Sequence, residues 1–157
     1  MTDATVVNAL SQESFFAGLD PAYIRFLGEH ARERAYPRGE VLFREGERAS
    51  TFYLVQGGEV LVEIPAIAGP SLELQRLQQG QILGWSWMIA PYRWTFMARA
   101  EADATVLEFD GEAILARCED DPAFGYALLK RFTVLMTERL ESARRTMMDE
   151  WNPPGFA

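Results

Sequence analysis

The stretch of this 157-residue chain best equipped for chemistry is residues 84–100. There Trp85, Trp87, Tyr92, Trp94 and Phe96 place five aromatics within twelve positions. Between Leu74 and Ala100 no acidic residue occurs, whereas Arg76, Arg93 and Arg99 all do, in a chain whose net charge is −8. Rings at this density can stack a flat ligand, and local positive charge draws an anion. The backbone N–H groups of Ser86 and Trp87, at an expected helix start, would hold the anionic end. The ligand class that fits is a small organic anion or a nucleotide-like molecule, and not a quaternary ammonium. The candidate ligand-binding residues are Gly84, Trp85, Ser86, Trp87, Arg93, Trp94 and Thr95. Two plainer readings stand beside this one. The tryptophans can fill a core with their indole N–H groups on carbonyls, and the arginines can pair with distant glutamates across the fold.

Other chemistries find little support. A metal-binding barrel needs several histidines on strands, and the one histidine, His30, falls in the first expected helix. No Ser-His-Asp set, phosphate-binding P-loop or dinucleotide fingerprint is present. The run Glu119-Asp120-Asp121 reads as helix caps and solvated charge. The single cysteine, Cys118, cannot form an internal disulfide, and its acidic neighbours raise a thiol pKa rather than lower it. A regulatory protein is therefore expected rather than an enzyme, with no metal and no cofactor. Lys130 is the one lysine among 15 basic residues, and no basic stripe marks a nucleic-acid surface. No apolar run approaches the ~20 residues of a bilayer span, and no signal peptide is visible. A soluble, cytoplasmic protein with no membrane contact is expected.

The elements that must position these residues follow from periodicity and punctuation. Asp20-Pro21, Asp110-Gly111 and Asp121-Pro122 each set an N-cap carboxylate before a helix. The first helix is expected over about 21–33, with Tyr23, Ile24, Leu27 and Ala31 on its apolar face. Phe15, Phe16 and Leu19 form a helical turn beneath it. From about 34 to 109 the pattern changes to short runs: Val41–Phe43, Thr51–Val55, Val60–Ile64, Leu72–Leu74 and Thr105–Phe109. Glycine-bearing breaks separate them, and Gly39, Gly46 and Gly57-Gly58 are expected at positive φ. Short strands at near-regular spacing predict an antiparallel sandwich or barrel. The tail, about 122–150, is one long helix whose Leu129, Phe132, Met136, Leu140, Ala143 and Met147 form a helix-packing seam. A second line, Phe124, Leu128 and Leu135, faces the barrel. The final Asn152-Pro153-Pro154-Gly155 breaks helix and is expected to fray.

Several segments, taken in order, resemble the cyclic-nucleotide-binding domain of the bacterial catabolite-activator family and of kinase regulatory subunits. They are Phe15–Leu19, Tyr36–Glu47, Phe52–Val60 and Gly80–Gly84. The resemblance implies a double-stranded β-helix, or jelly-roll-like barrel, with N-terminal helices and a long C-terminal helix, an α+β but mainly β fold. It divides the chain, as one domain over 1–157, into a helical part (1–33), a barrel (34–109) and C-terminal helices (110–150). In such domains a glutamate after a glycine takes a ribose hydroxyl and a nearby arginine pairs with a phosphate. Here Trp85 follows Gly84 at the glutamate position, Trp94 stands at the arginine position and Phe96 at the usual small residue. Arg93 is one position off, which on a strand turns its side chain to the other face. Both usual nucleotide contacts are replaced, which points away from ordinary cAMP or cGMP binding.

The resemblance further implies a stand-alone sensor. A small-molecule ligand sits in the altered cassette, and the signal leaves through the C-terminal helix to a second copy or a partner protein. The alternative is a ligand-free scaffold that keeps only the fold. Direct DNA contact would need a helix-turn-helix after the long helix. The sequence ends at Ala157, so no nucleic-acid binding is expected.

Overall fold

The computed structural model describes residues 3–150, and the Asn152–Gly155 breaker lies outside them. The elements run α1 (Asp3–Ser11), α2 (Pro21–Glu29), β1 (Ala31–Tyr36), β2 (Val41–Phe43), β3 (Thr51–Gly57) and β4 (Val60–Ile64). Then follow β5 (Leu72–Leu77), β6 (Ile82–Leu83), β7 (Met97–Ala100), β8 (Ala104–Asp110), α3 (Gly111–Asp120) and α4 (Pro122–Glu150). Single 3-10 turns occur at Ser14–Phe16 and Ser86–Met88. All three aspartate caps form: Asp20 accepts from the Ala22 N–H at 2.8 Å, Asp110 from Ala113 at 3.1 Å and Asp121 from Phe124 at 3.2 Å.

The strands make two antiparallel four-stranded sheets, ordered β1-β8-β3-β6 and β2-β7-β4-β5, the jelly-roll-like arrangement expected. Strands β3 and β8 are buried on both faces. Alternation sends Tyr53, Val55, Ala104 and Val106 into the barrel interior. It sends Phe52, Leu54, Leu107 and Phe109 outward under the helices, onto Phe16, Ile24, Leu27, Phe124, Leu128 and Phe132. Phe52 and Phe109 face each other in register and stack at 4.3 Å, 2° from parallel. The domain thus holds two cores back to back, sharing one sheet.

Three local expectations are corrected. The first helix ends at Glu29 instead of Glu33, and Ala31 opens β1, inside the segment expected to be helical. Strand β1 is charge-rich because it is a sheet edge. Its Arg32 and Arg34 reach the buried Glu108 carboxylate of β8 at 2.7 and 2.9 Å. Gly39, Gly46 and Gly58 take positive φ as expected, but Gly57 does not; it is the last residue of β3. Gly58 is required there, since a Cβ at that position would lie 2.1 Å from the Asp103 carbonyl oxygen. The third correction concerns the seam of α4. Phe132 is fully buried, while Leu129, Leu140 and Met147 are 46%, 71% and 65% exposed, so the seam divides into an inward and an outward part.

Candidate functional site

Strand β6 leads into Gly84, whose φ of +101° is open to glycine and strained for other residues. The absence of a side chain has a second use. A Cβ there would lie 2.8 and 2.9 Å from Cη2 and Cζ3 of Trp94. Trp94 comes that close because its indole lies flat on Phe43, 3.7 Å between centroids and 11° from parallel. It is 3% exposed and sits in the barrel interior with Tyr53, Leu83 and Phe96. Trp94 is therefore a plug inside the barrel.

The neighbouring residues diverge. Trp87 belongs to the helix-side core: its ring stacks on Phe52 at 5.1 Å, meets Phe132 of α4 edge-on at 5.5 Å, and donates its indole N–H to the Gly84 carbonyl at 3.2 Å. Ser86 is buried beside it. The helix expected to present N–H groups to an anion is one 3-10 turn, closed by Met88 N–H donating to Trp85 O at 3.1 Å. Trp85 packs against both cores and meets Phe96 edge-on at 5.8 Å. Arg93 and Thr95 are exposed. Arg93 donates to the Gly46 carbonyl at 3.3 Å, on a bridge to Arg48. The expected positive patch is largely neutralised. Arg76 pairs with Glu59 and Glu73, and Arg99 with Glu63 and Glu101 at 2.9 and 2.8 Å.

The geometry brings Gly84, Trp85, Trp87 and Trp94 together but leaves Arg93 and Thr95 outside. Between the barrel and α4, beside Trp85, lies a cavity of about 210 Å³. Val62, Leu74, Gln75, Trp85 and Phe96 of the barrel side line it, and Met136, Arg139, Leu140 and Ala143 of α4 line it opposite. The guanidinium of Arg139 lies 5.7 Å from the Trp85 ring centroid and donates to the Ile82 carbonyl. No carboxylate of the described residues forms an ion pair with it. Partial burial pushes its pKa down to about 10, against the pull of neighbouring Glu138. The Oε1 of Gln75 is buried without a hydrogen-bond partner among the described residues.

Arg139 and Gln75 were not among the residues singled out from sequence, although the signal for Arg139 was present. The barrel-facing line of α4 runs Phe124, Leu128, Phe132 and Leu135 at spacings of three and four, and its next member is Arg139. A charge on a buried stripe asks for a reason. Gln75 gave no such sign. Among the described residues no cluster of three or more His, Cys, Asp or Glu is placed to hold a metal.

A sequence model of the cyclic nucleotide-binding domain matches residues 33–121. The chain belongs to the cyclic nucleotide-binding domain family. Among solved structures, a cyclic nucleotide-binding domain from Methylobacillus flagellatus superposes with a TM-score of 0.77 at 20% identity, covering 97% of this chain and 86% of that one. Two curated mycobacterial proteins align with it. The acetyltransferase Pat of Mycolicibacterium smegmatis is 34% identical over 86 residues, 54% of this chain and 26% of that protein. A CRP-like cAMP-activated global transcriptional regulator of Mycobacterium tuberculosis is 23% identical over 140 residues, 89% of this chain and 61% of that protein. This cyclic nucleotide-binding domain thus spans about three fifths of the regulator and a quarter of the acetyltransferase.

Proposed function

We propose that the chain is a ligand-sensing regulatory module in which a small molecule enters the cavity between barrel and α4. The observation behind this reading is that one cavity draws its two walls from different bodies, strands on one side and the long helix on the other. An occupant touching both walls binds one α4 position better than another, and that difference is what shifts a population. Of the residues singled out from sequence, Trp85 forms part of the wall, Trp94 fills the barrel interior against Gly84, and Trp87, with Ser86 buried beside it, meets Phe132 of α4. Arg93 and Thr95 are assigned no contact. At about 210 Å³ the cavity is below the ~300–1,000 Å³ usual for whole drug-sized ligands, which favours a molecule smaller than a nucleotide.

Helix α4 carries the signal to a second copy of the chain. Its exposed Leu129, Leu140 and Met147 lie along one edge, with Leu140 and Met147 seven residues apart as in helix pairs. A cytoplasmic setting fits the lone, half-buried Cys118. No helix among the described residues is long and apolar enough to cross a membrane. The module is regulatory, not catalytic.

A ligand-free scaffold is the second reading, favoured by the stacking of Trp94 on Phe43 that fills the barrel interior. Thermal unfolding and tryptophan fluorescence against cAMP, cGMP, cyclic dinucleotides and small organic anions separate the two. The sensor reading expects a saturable shift with a small anion and none with the nucleotides. Silence across the panel, in folded protein, leaves the scaffold.

A further inference from the structure

Resting on the cavity reading above, we infer that Arg139 of α4 is the anion-recognising residue of this domain, and that its ligand is a single planar ring or fused pair of rings bearing a carboxylate. The anion site has then moved from the barrel cassette to the signalling helix itself.

The arginines differ in what satisfies them. Arg34, Arg76 and Arg99 face carboxylates. Arg131, also on α4, bonds the Ala17 and Ala127 carbonyls at 2.7 and 3.2 Å. Arg139 is half-buried, and among the described residues its one hydrogen-bond acceptor is the Ile82 carbonyl. A guanidinium has five N–H donors in a planar fork, so most of its capacity is unused. Donors left free at a half-buried guanidinium are open to an incoming acceptor. The Trp85 ring faces the cation, and a carboxylate binds such a fork bidentately.

The cavity narrows the rest of the ligand. Its other walls are apolar or aromatic, Val62, Leu74, Trp85, Phe96, Met136 and Leu140, and the volume suits one or two rings. A groove of about 510 Å³ adjoins through Arg139 and Gln75, and the charged side chains lining it are Arg131, Arg139 and Glu138. Two positive groups against one negative favour entry of an anion from that side.

The test uses the full chain and paired probes: benzoate and indole-3-carboxylate against benzamide and indole-3-carboxamide, by calorimetry and tryptophan fluorescence. The acids are expected to bind at least about tenfold tighter than the amides, the size of a charge-assisted hydrogen bond. Arg139→Met, which removes the charge at similar length, is expected to fold, lose that preference and bind acid and amide alike. Arg139→Lys, a second variant should the first misfold, keeps the preference in reduced form. Equal binding of acid and amide by the wild-type chain, or an acid preference surviving in Arg139→Met, overturns the assignment while leaving the cavity as a ligand site. Binding of a cyclic nucleotide and of no ring carboxylate overturns it likewise. Binding of nothing at all overturns both this inference and the sensor reading.

Discussion

Replacing Trp94 by alanine weighs a packed barrel interior against an open one. The indole is 3% exposed, lies 3.7 Å above Phe43, and abuts the bare α-carbon of Gly84. Truncating a buried aromatic to alanine costs about 3–5 kcal/mol. The upper half of that range is expected. One wall of the resulting void is a turn fixed by the positive φ of Gly84, and the other is a flat ring already stacked on Tyr53 at 6.1 Å. Neither can close the gap cheaply. At roughly 2–4 °C per kcal/mol for a domain of this size, the melting temperature falls by about 8–20 °C. Urea unfolding followed by circular dichroism gives the free energy, and free indole gives a second readout. Indole at a hundred times its Kd for the void restores about 2.7 kcal/mol. A double mutant with Phe43→Ala should show coupling of about 0.5–1.5 kcal/mol. A loss below about 1 kcal/mol with no indole rescue refutes the plug, because a ring that costs so little to remove is not filling the barrel.

Two further outcomes follow from α4 and its junction with α3. Leu140→Glu with Met147→Glu, at positions 71% and 65% exposed, should convert a dimer to monomers in light scattering, with the monomer's own stability within about 0.5 kcal/mol of the parent. A wild-type chain that is monomeric under the same conditions rules out the self-pairing. At the junction, burial, reinforced by Glu119 and Asp121, pushes the Cys118 thiol up to about 11. This lies above the unfolded value of about 8.5. The folded state therefore keeps its proton longer, and stability from this group is whole below about pH 8.5 and lost as pH rises toward 11. Cys118→Ser should flatten the fall of melting temperature over that window. Iodoacetamide labelling of the native chain near pH 8 should be slower than that of a small-molecule thiol; equal rates contradict the shift.

The parts of the fold legible in sequence were those written in local chemistry. Aspartate caps with proline at the next position fixed where α2 and α4 begin, and the apolar runs of β3, β4 and β8 were visible because both of their faces are buried. Strand β1 was missed for the opposite reason. Its arginines read as helix surface, and only the distant Glu108 explains them. Strand β7 hid for a similar cause, since Arg99 finds its partner Glu63 on β4. The site was half legible. The aromatic cluster was seen, but its division into a barrel plug (Trp94), a cavity wall (Trp85) and a helix-side anchor (Trp87) depends on which way the chain turns at Gly84. Arg139, 54 positions further on than Trp85, meets it only through tertiary structure.

The alternation along β3 and β8 has a consequence for how this domain can be cut. Each of these strands lends every second side chain to the barrel and the others to the helices, so the barrel has no outer wall of its own. Remove the helices, and Phe52, Leu54, Leu107 and Phe109 face water together, a greasy surface on what had been the inside of the molecule. Barrel and helices are not modules that can be traded separately between proteins. They stand or fall as one cooperative unit, and any rearrangement of α4 must slide across that surface without uncovering it.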